Sequence, residues 1–193
     1  MVLRRMTEAD VDNLFRLNSD PEVMRYLTGG APTTRETIRD EIIPFQLDSY
    51  LRFGGLGLWA AEGRASGEFL GWFHLRPRRT DGVIDLGYRL RRKTWGQGLA
   101  TEGSRALIEK GFRELGMDRI VAETMTVNGA SRRVMEKCGM KLTRTYPWAE
   151  GTPIEGSEHG CVEYELTRPT GCPGGARLLA SAQVKPKAAQ VGI

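Results

Sequence analysis

The sequence predicts an α/β (α+β) fold: a mixed, mostly antiparallel, twisted sheet flanked by helices. Three observations carry the prediction. Residues 56–62, 69–75 and 83–90 are apolar, strand-like runs joined by short glycine-rich or polar turns, which marks an antiparallel meander. Beyond residue 98 the pattern changes to alternating helix and strand. Two glycines, Gly96 and Gly98, stand where the last strand of the meander gives way to a helix.

The elements follow in order. Residues 2–5 read as a first strand. Thr7, with Asp10 three positions on, opens a helix whose apolar positions are Val11, Leu14, Phe15 and Leu17. Pro21, behind Asp20, occupies a first-turn position and starts another short turn of helix. Thr33 or Thr34 caps a longer helix through Ile38, Ile42 and Ile43, which Pro44 is expected to kink or interrupt and Gly54-Gly55 to end. Residues 63–67, with glycine at both ends, form a hairpin connection, and residues 76–82 a polar turn. Helix 99–115 carries Ala100, Leu107, Ile108, Phe112 and Leu115 and meets Gly116 where a capping glycine belongs. A strand over 118–124 leads to Asn128, the cap of a helix reaching about Cys138 and ended by Gly139. Residues 140–146 and 161–167 make a final strand pair around a loop with Trp148, Glu150, Glu155, Glu158 and His159.

The 193 residues suit one domain with a sizeable core, and the composition, 40% hydrophobic and 27% charged, is that of an ordinary globular chain. The division expected is a domain over 1–167 and a flexible, basic, Pro/Gly/Ala-rich tail over 168–193. That tail explains the formal charge of +4: Arg168, Arg177, Lys185 and Lys187 lie in it without an acid, and the rest is balanced at 24 against 24. A global basic character that vanishes outside the tail argues against a nucleic-acid partner. No apolar run approaches the roughly 20 residues of a membrane helix, and the N-terminus lacks a signal-peptide layout, so no membrane partner and a cytoplasmic location are expected. Cys138, Cys161 and Cys172 form no CxxC pair, and His74 and His159 are the sole histidines, so neither a disulfide framework nor a metal site is predicted.

Arg91-Arg92-Lys93-Thr94-Trp95-Gly96-Gln97-Gly98-Leu99-Ala100-Thr101-Glu102 carries the chemistry. Glycines at a helix start let a ligand approach the backbone, and the first-turn N–H groups and helix dipole attract an anion. Three basic residues just ahead favour a phosphate-bearing ligand. Alone, the glycine pair equally suits a tight strand-to-helix turn.

Downstream lies a second block, Asn128-Gly129-Ala130-Ser131-Arg132-Arg133-Val134-Met135-Glu136-Lys137-Cys138-Gly139-Met140. With both blocks present, the chain resembles the GNAT superfamily of acetyl-CoA-dependent N-acetyltransferases over residues 2–167, and within it the RimJ/RimL type. The W-G-x-G-x-A-T-E run at Trp95 to Glu102 is the more specific signal, and N-x-x-S…E-K-x-G-M is its companion.

The resemblance implies the acyl-CoA N-acyltransferase fold, in which strands 83–90 and 118–124 splay apart to admit the pantetheine arm of acetyl-CoA. It implies that the CoA pyrophosphate lies on backbone N–H groups of Gln97, Gly98, Leu99, Ala100 and Thr101, with Gly96 giving room. Lys93 stands at the family's basic loop position, with Arg91 close by. Tyr88, Arg89 and Leu90 would lie beside the pantetheine, the Leu90 N–H polarising the thioester carbonyl. Asn128 and Ser131 would contact the same arm.

For the proton chemistry, Asp85 occupies the acidic place of the family's E/D-x-G-Y strand and is the first candidate base, with Glu123 and a carboxylate of the 147–160 loop behind it. Ile84 and Leu86 should face away from Asp85. Met135 stands where many relatives carry a tyrosine acid; the resemblance to RimL-like members implies Ser131, the serine of N-x-x-S, as the candidate proton donor, and CoA thiolate also leaves without an acid. Tyr146, Trp148 and His159 are candidates to shape the acceptor site, Trp72 and Phe73 to pack the sheet, and Cys138 to lie in the core rather than act as a nucleophile.

The predicted activity is acetyl transfer from acetyl-CoA, without a metal, to a primary amine: a ribosomal-protein or other peptide N-terminus, or a small molecule. Oligomeric state is open, a homodimer included. Two alternatives stand beside it. One is a catalytically silent acyl-CoA-binding module. The other is a dinucleotide-binding oxidoreductase, which would require Gly or Ala at position 101 and a parallel sheet ahead of the loop.

Overall fold

The computed structural model describes residues 1–78, 81–149 and 151–169. Glu150, Cys172 and the predicted tail beyond residue 169 lie outside the described residues.

Seven strands form one sheet: β1 (Val2–Arg5), β2 (Gly57–Glu62), β3 (Phe69–Pro77), β4 (Ile84–Leu90), β5 (Arg119–Met125), β6 (Lys141–Tyr146) and β7 (Cys161–Thr167), in spatial order β1-β2-β3-β4-β5-β7-β6. Every neighbouring pair is antiparallel except β4 and β5. The chain crosses from β4 to β5 through a helix, which a parallel connection requires. Antiparallel pairing through β4 removes the parallel sheet on which the oxidoreductase alternative depended.

Strand alternation divides the core into two layers. Trp59, Phe73, Leu75, Leu86 and Ile120 face α5 (Leu99–Arg113) and α6 (Gly129–Lys137), while Leu58, Ala60 and Trp72 face the helices that precede β2. On the first side the contact is close: a Cβ on Gly103 of α5 would come within 2.3 Å of the Phe73 ring. Leu14, Leu17, Ile38 and Ile42 fill the second layer.

On that second side α1 (Val11–Asn18) begins as the Thr7/Asp10 pattern predicts, with Asp10 Oδ2 accepting the Thr7 N–H at 2.9 Å. The turn expected at Pro21 is a helical segment of eight residues, α2 (Pro21–Thr28), kinked at Tyr26 and capped by the Asp20 carboxylate on the Glu22 N–H. Thr34, rather than Thr33, caps the next helix through its hydroxyl on the Thr37 N–H. Pro44 does not interrupt that helix. Helical structure passes from α3 (Arg35–Thr37) through one π turn (Ile38–Ile42) into α4 (Ile43–Arg52), and Ile43 N–H bonds back to the Ile38 carbonyl. The wider turn absorbs the ring and the missing N–H of proline that would otherwise break the ladder. No helix among the described residues is long and apolar enough to cross a membrane.

Candidate active site

The central feature is a gap between β4 and β5. One registered pair, Asp85 opposite Val121, joins them, while β5 is fully paired with β7 on its other side. The strands splay as expected. On the β3 side Arg91 N–H donates to the Leu70 carbonyl at 2.9 Å. Backbone directions alternate along a strand, so Tyr88 and Leu90 turn their N–H groups toward the gap. The Leu90 carbonyl accepts the indole N–H of Trp95 at 2.9 Å, which folds the loop back against the strand end.

The loop then delivers the glycines. Gly96 and Gly98 have φ of 75° and 79°, a left-handed backbone that other residues resist. A Cβ on either would meet nothing within 4 Å, so the space in front of both is open. The α5 ladder starts with the Glu102 N–H on the Gly98 carbonyl at 3.0 Å, so the N–H groups of Leu99, Ala100 and Thr101 precede it in the half-buried first turn. An open backbone cradle at the N-terminus of a 15-residue helix fits a pyrophosphate. Gln97 donates its side-chain amide to the Lys93 carbonyl at 3.1 Å. Of the three basic residues ahead, Arg91 and Lys93 both pair with Glu68, which halves the charge they present; Arg92 is exposed.

Across the gap, α6 brings two predicted residues toward β4. Asn128 caps the helix through Oδ1 on the Ser131 N–H (3.2 Å), and its Nδ2 donates to Thr124 Oγ1 (3.1 Å), tying α6 to β5. Ser131 Oγ lies 2.9 Å from the Tyr88 hydroxyl, which also donates to the Ser131 carbonyl at 3.1 Å. Burial pushes the Tyr88 phenol well above its ordinary value, so it stays protonated. Met135 is buried in the core, and the Cys138 thiol is held up by burial, as suits a packing residue.

The opposite face of β4 carries the proton-accepting candidates. Ile84 and Leu86 point into the α5 layer, and Asp85 points away from it. There Asp85 Oδ2 meets His74 Nε2 at 2.8 Å. The imidazole stacks on Trp72, with centroids 5.6 Å apart, and lies across Gly87, where a Cβ would come 2.4 Å from Cε1. Burial pushes the His74 pKa down, helped by the charges of Arg76 and Arg89 and opposed by Asp85, so the ring is neutral near pH 7. Asp85 Oδ1 and His74 Nδ1 are buried acceptors without a hydrogen-bond partner. Arg89 shares this face. Its backbone borders the gap, but its side chain is buried against Trp72 and Asn18, remote from the α5 cradle side.

The other candidates are dispersed. Glu123 is hydrogen-bonded to the Tyr146 hydroxyl at 2.5 Å and to Arg78 at 3.4 Å. His159 is exposed beside Glu158, Trp148 keeps a buried indole N–H without a partner, and Trp72 and Phe73 pack the sheet. Sequence reading passed over His74 as a site residue. Its signal was the alternation that puts Trp72 and His74 on one face, but its pairing with Asp85 depends on the β3–β4 register.

Comparison with known proteins bears on the family and the fold. The family model described as acetyltransferase (GNAT) domain matches residues 1–141. A protein of Aspergillus fumigatus named FsC-acetyl coenzyme A-N(2)-transacetylase is 38% identical over 162 residues, covering 79% of this chain and 67% of that protein. A solved acetyl transferase of Salmonella typhimurium, which modifies the N-terminal serine of 50S ribosomal subunit protein L7/L12, superposes with a TM-score of 0.70 at 20% identity, over 86% of this chain and 94% of that one. The spermidine N-acetyltransferase of Vibrio cholerae, solved with CoA and spermine, gives 0.70 at 15% identity, over 86% and 95%. At such identities the two structures establish a shared fold.

Proposed function

The chain belongs to the acetyltransferase (GNAT) family, and we propose that it transfers the acetyl group of acetyl-CoA to a primary amine by direct attack in a ternary complex. The observation that carries this reading is the β4–β5 gap together with the open glycine loop at the start of α5. Residues 1–167 make up the catalytic domain in this reading. The acceptor is a peptide N-terminus or a small-molecule amine, the two classes named for the Salmonella and Vibrio proteins.

Acetyl-CoA, when bound, supplies an activated acetyl thioester. The chain's own groups do the rest. Backbone N–H groups of Gln97 to Thr101 hold the pyrophosphate, with Gly96 giving room and Arg91 and Lys93 adding charge. The backbone edge of Tyr88, Arg89 and Leu90 pairs with the pantetheine arm as an added strand would, and Asn128 and Ser131 flank it. The Leu90 N–H faces the gap and stabilises charge developing on the carbonyl oxygen.

An α-amine, with an ordinary pKa of about 7.7–8.0, is partly free base at neutral pH, whereas a lysine-like amine at about 10.4 needs a base. Asp85 accepts the amine's proton at Oδ1, directly or through a water, and His74 holds Oδ2 by donating its Nε2–H. On the other face Tyr88 and Ser131 form a hydroxyl pair that donates a proton to the departing thiolate, in place of the tyrosine missing at Met135.

A turnover screen of acetyl-CoA across peptide, polyamine, amino-acid and aminoglycoside amines, read by CoA release, tests the proposal. Amine-dependent release is expected. Tight CoA binding with no release for any amine would replace it with the silent acyl-CoA-binding module.

A further inference from the structure

Arg89 is an uncompensated buried cation. The residue is 6% exposed and stands on β4 immediately before Leu90. Its Nη1 donates to Asn18 Oδ1 at 2.6 Å, and its guanidinium lies 5.1 Å from the Trp72 ring centroid. Among the described residues it pairs with no carboxylate, and the charge that acts on it, Arg76, repels it. Burial pushes its pKa down to about 9, which leaves it protonated near pH 7. A neutral amide and an aromatic face return less than removing a guanidinium from water costs.

The atoms left without partners are Nε and Nη2, both buried. Together they form one edge of the guanidinium, the edge that grips a carboxylate with two parallel hydrogen bonds. A cleft of about 370 Å³ is lined by chain neighbours of both partners: Leu17, next to Asn18, and Arg91, two residues beyond Arg89. Arg16 and Arg92 line it too, against one acid, Asp20. Its walls therefore favour an anion.

We propose that Arg89 is the carboxylate-recognition residue of the acceptor site, so that the amine this protein acetylates is one that carries a carboxylate. The carboxylate sits on the Nε/Nη2 edge, and the rest of the acceptor fills the cleft. The inference rests on the acetyltransferase reading above and specifies its acceptor class.

The test uses isosteric acceptor pairs that differ in carboxylate against carboxamide: alanyl-glutamate amide with alanyl-glutamine amide, and 5-aminopentanoate with 5-aminopentanamide. The readout is the ratio of kcat/KM within a pair, measured by CoA release. The wild-type protein should prefer the carboxylate member by roughly 30-fold or more. Arg89→Gln should bring the ratio close to one, and Arg89→Lys, which keeps the charge but not the fork, should restore part of it. Equal turnover of both members by the wild type, a best acceptor in the amine screen that carries no carboxylate, or an unchanged ratio in Arg89→Gln would each overturn the proposal. Should Arg89→Gln fail to fold, thermal melting of the wild type decides: glutarate should raise its Tm and glutaramide should not, and equal shifts would count against it. CoA release without carboxylate preference would remove this inference alone, whereas no release from any amine would remove the acetyltransferase reading itself.

Discussion

His74 and Asp85, 11 positions apart in the chain, meet across the β3–β4 ladder through a 2.8 Å contact between Nε2 and Oδ2. The contact leaves each side chain one buried, unpartnered acceptor atom on the face turned away from α5. Removing either partner should therefore impair proton transfer more than folding. Asp85→Asn is expected to lower kcat/KM by about 100-fold or more near pH 7, and His74→Gln by less. Both losses should shrink as pH rises and the acceptor becomes free base. A loss that is flat from pH 6 to pH 9 would mean that the pair serves packing.

The same histidine makes stability depend on pH with a defined sign. Its folded pKa lies below the ordinary value of about 6.5, because burial disfavours the charged ring. In that window the unfolded chain binds more protons than the folded one, so stability rises with pH. The contribution is complete above about pH 6.5 and is lost as pH falls below it. Urea unfolding between pH 5 and pH 8 should show this acid-side slope in the wild type and a shallower one in His74→Gln.

Gly87 and Gly98 should both lose stability on substitution by alanine, but for different reasons. At Gly87 the new Cβ would lie 2.4 Å from His74 Cε1 and must displace the imidazole. Gly87→Ala is expected to cost about 1–3 kcal/mol and to reproduce the kinetics of the His74 variant. At Gly98 nothing lies within 4 Å, so Gly98→Ala carries chiefly the left-handed backbone penalty of about 1–2 kcal/mol. Urea melts measure both losses, and turnover rates that follow the His74 variant only in Gly87→Ala distinguish the two.

Gly98→Glu tests the cradle. The side chain points into open space, so the fold should survive, while bulk and negative charge stand where the pyrophosphate binds. CoA affinity measured by calorimetry should drop beyond detection. Wild-type affinity in this variant would end the assignment of the loop.

Tyr88 and Ser131 should behave as one unit, since their hydroxyls lie 2.9 Å apart. Tyr88→Phe and Ser131→Ala are each expected to lower kcat, with the double variant little worse than either alone. The coupling should fall at about 0.5–3 kcal/mol in a double-mutant cycle. Strict additivity would show that the two act independently.

Much of the fold was legible because its signals are local. The Thr7/Asp10 start, the Thr34 and Asn128 caps, the alternation of β2 to β4 and the glycines ahead of α5 are all written within a few residues of where they act. Of the kink or interruption expected at Pro44, the interruption is absent, because a helix has a second way to accommodate proline, a π turn. Arg91 and Lys93 read as charges for a ligand, but Glu68 of the neighbouring hairpin shares them, and its position follows from sheet order.

By itself the sequence determined the layer architecture, the family and the glycine turn ahead of α5, since periodicity, caps and glycine placement are properties of short stretches of chain. Only the tertiary structure decided which side chains meet. His74 with Asp85, Tyr88 with Ser131 at a separation of 43 residues, and Arg89 with Asn18 at 71 all depend on strand register and on how helices settle on the sheet. A shift of one residue in register would turn every one of these β-strand side chains to the other face, and no local pattern reports that choice.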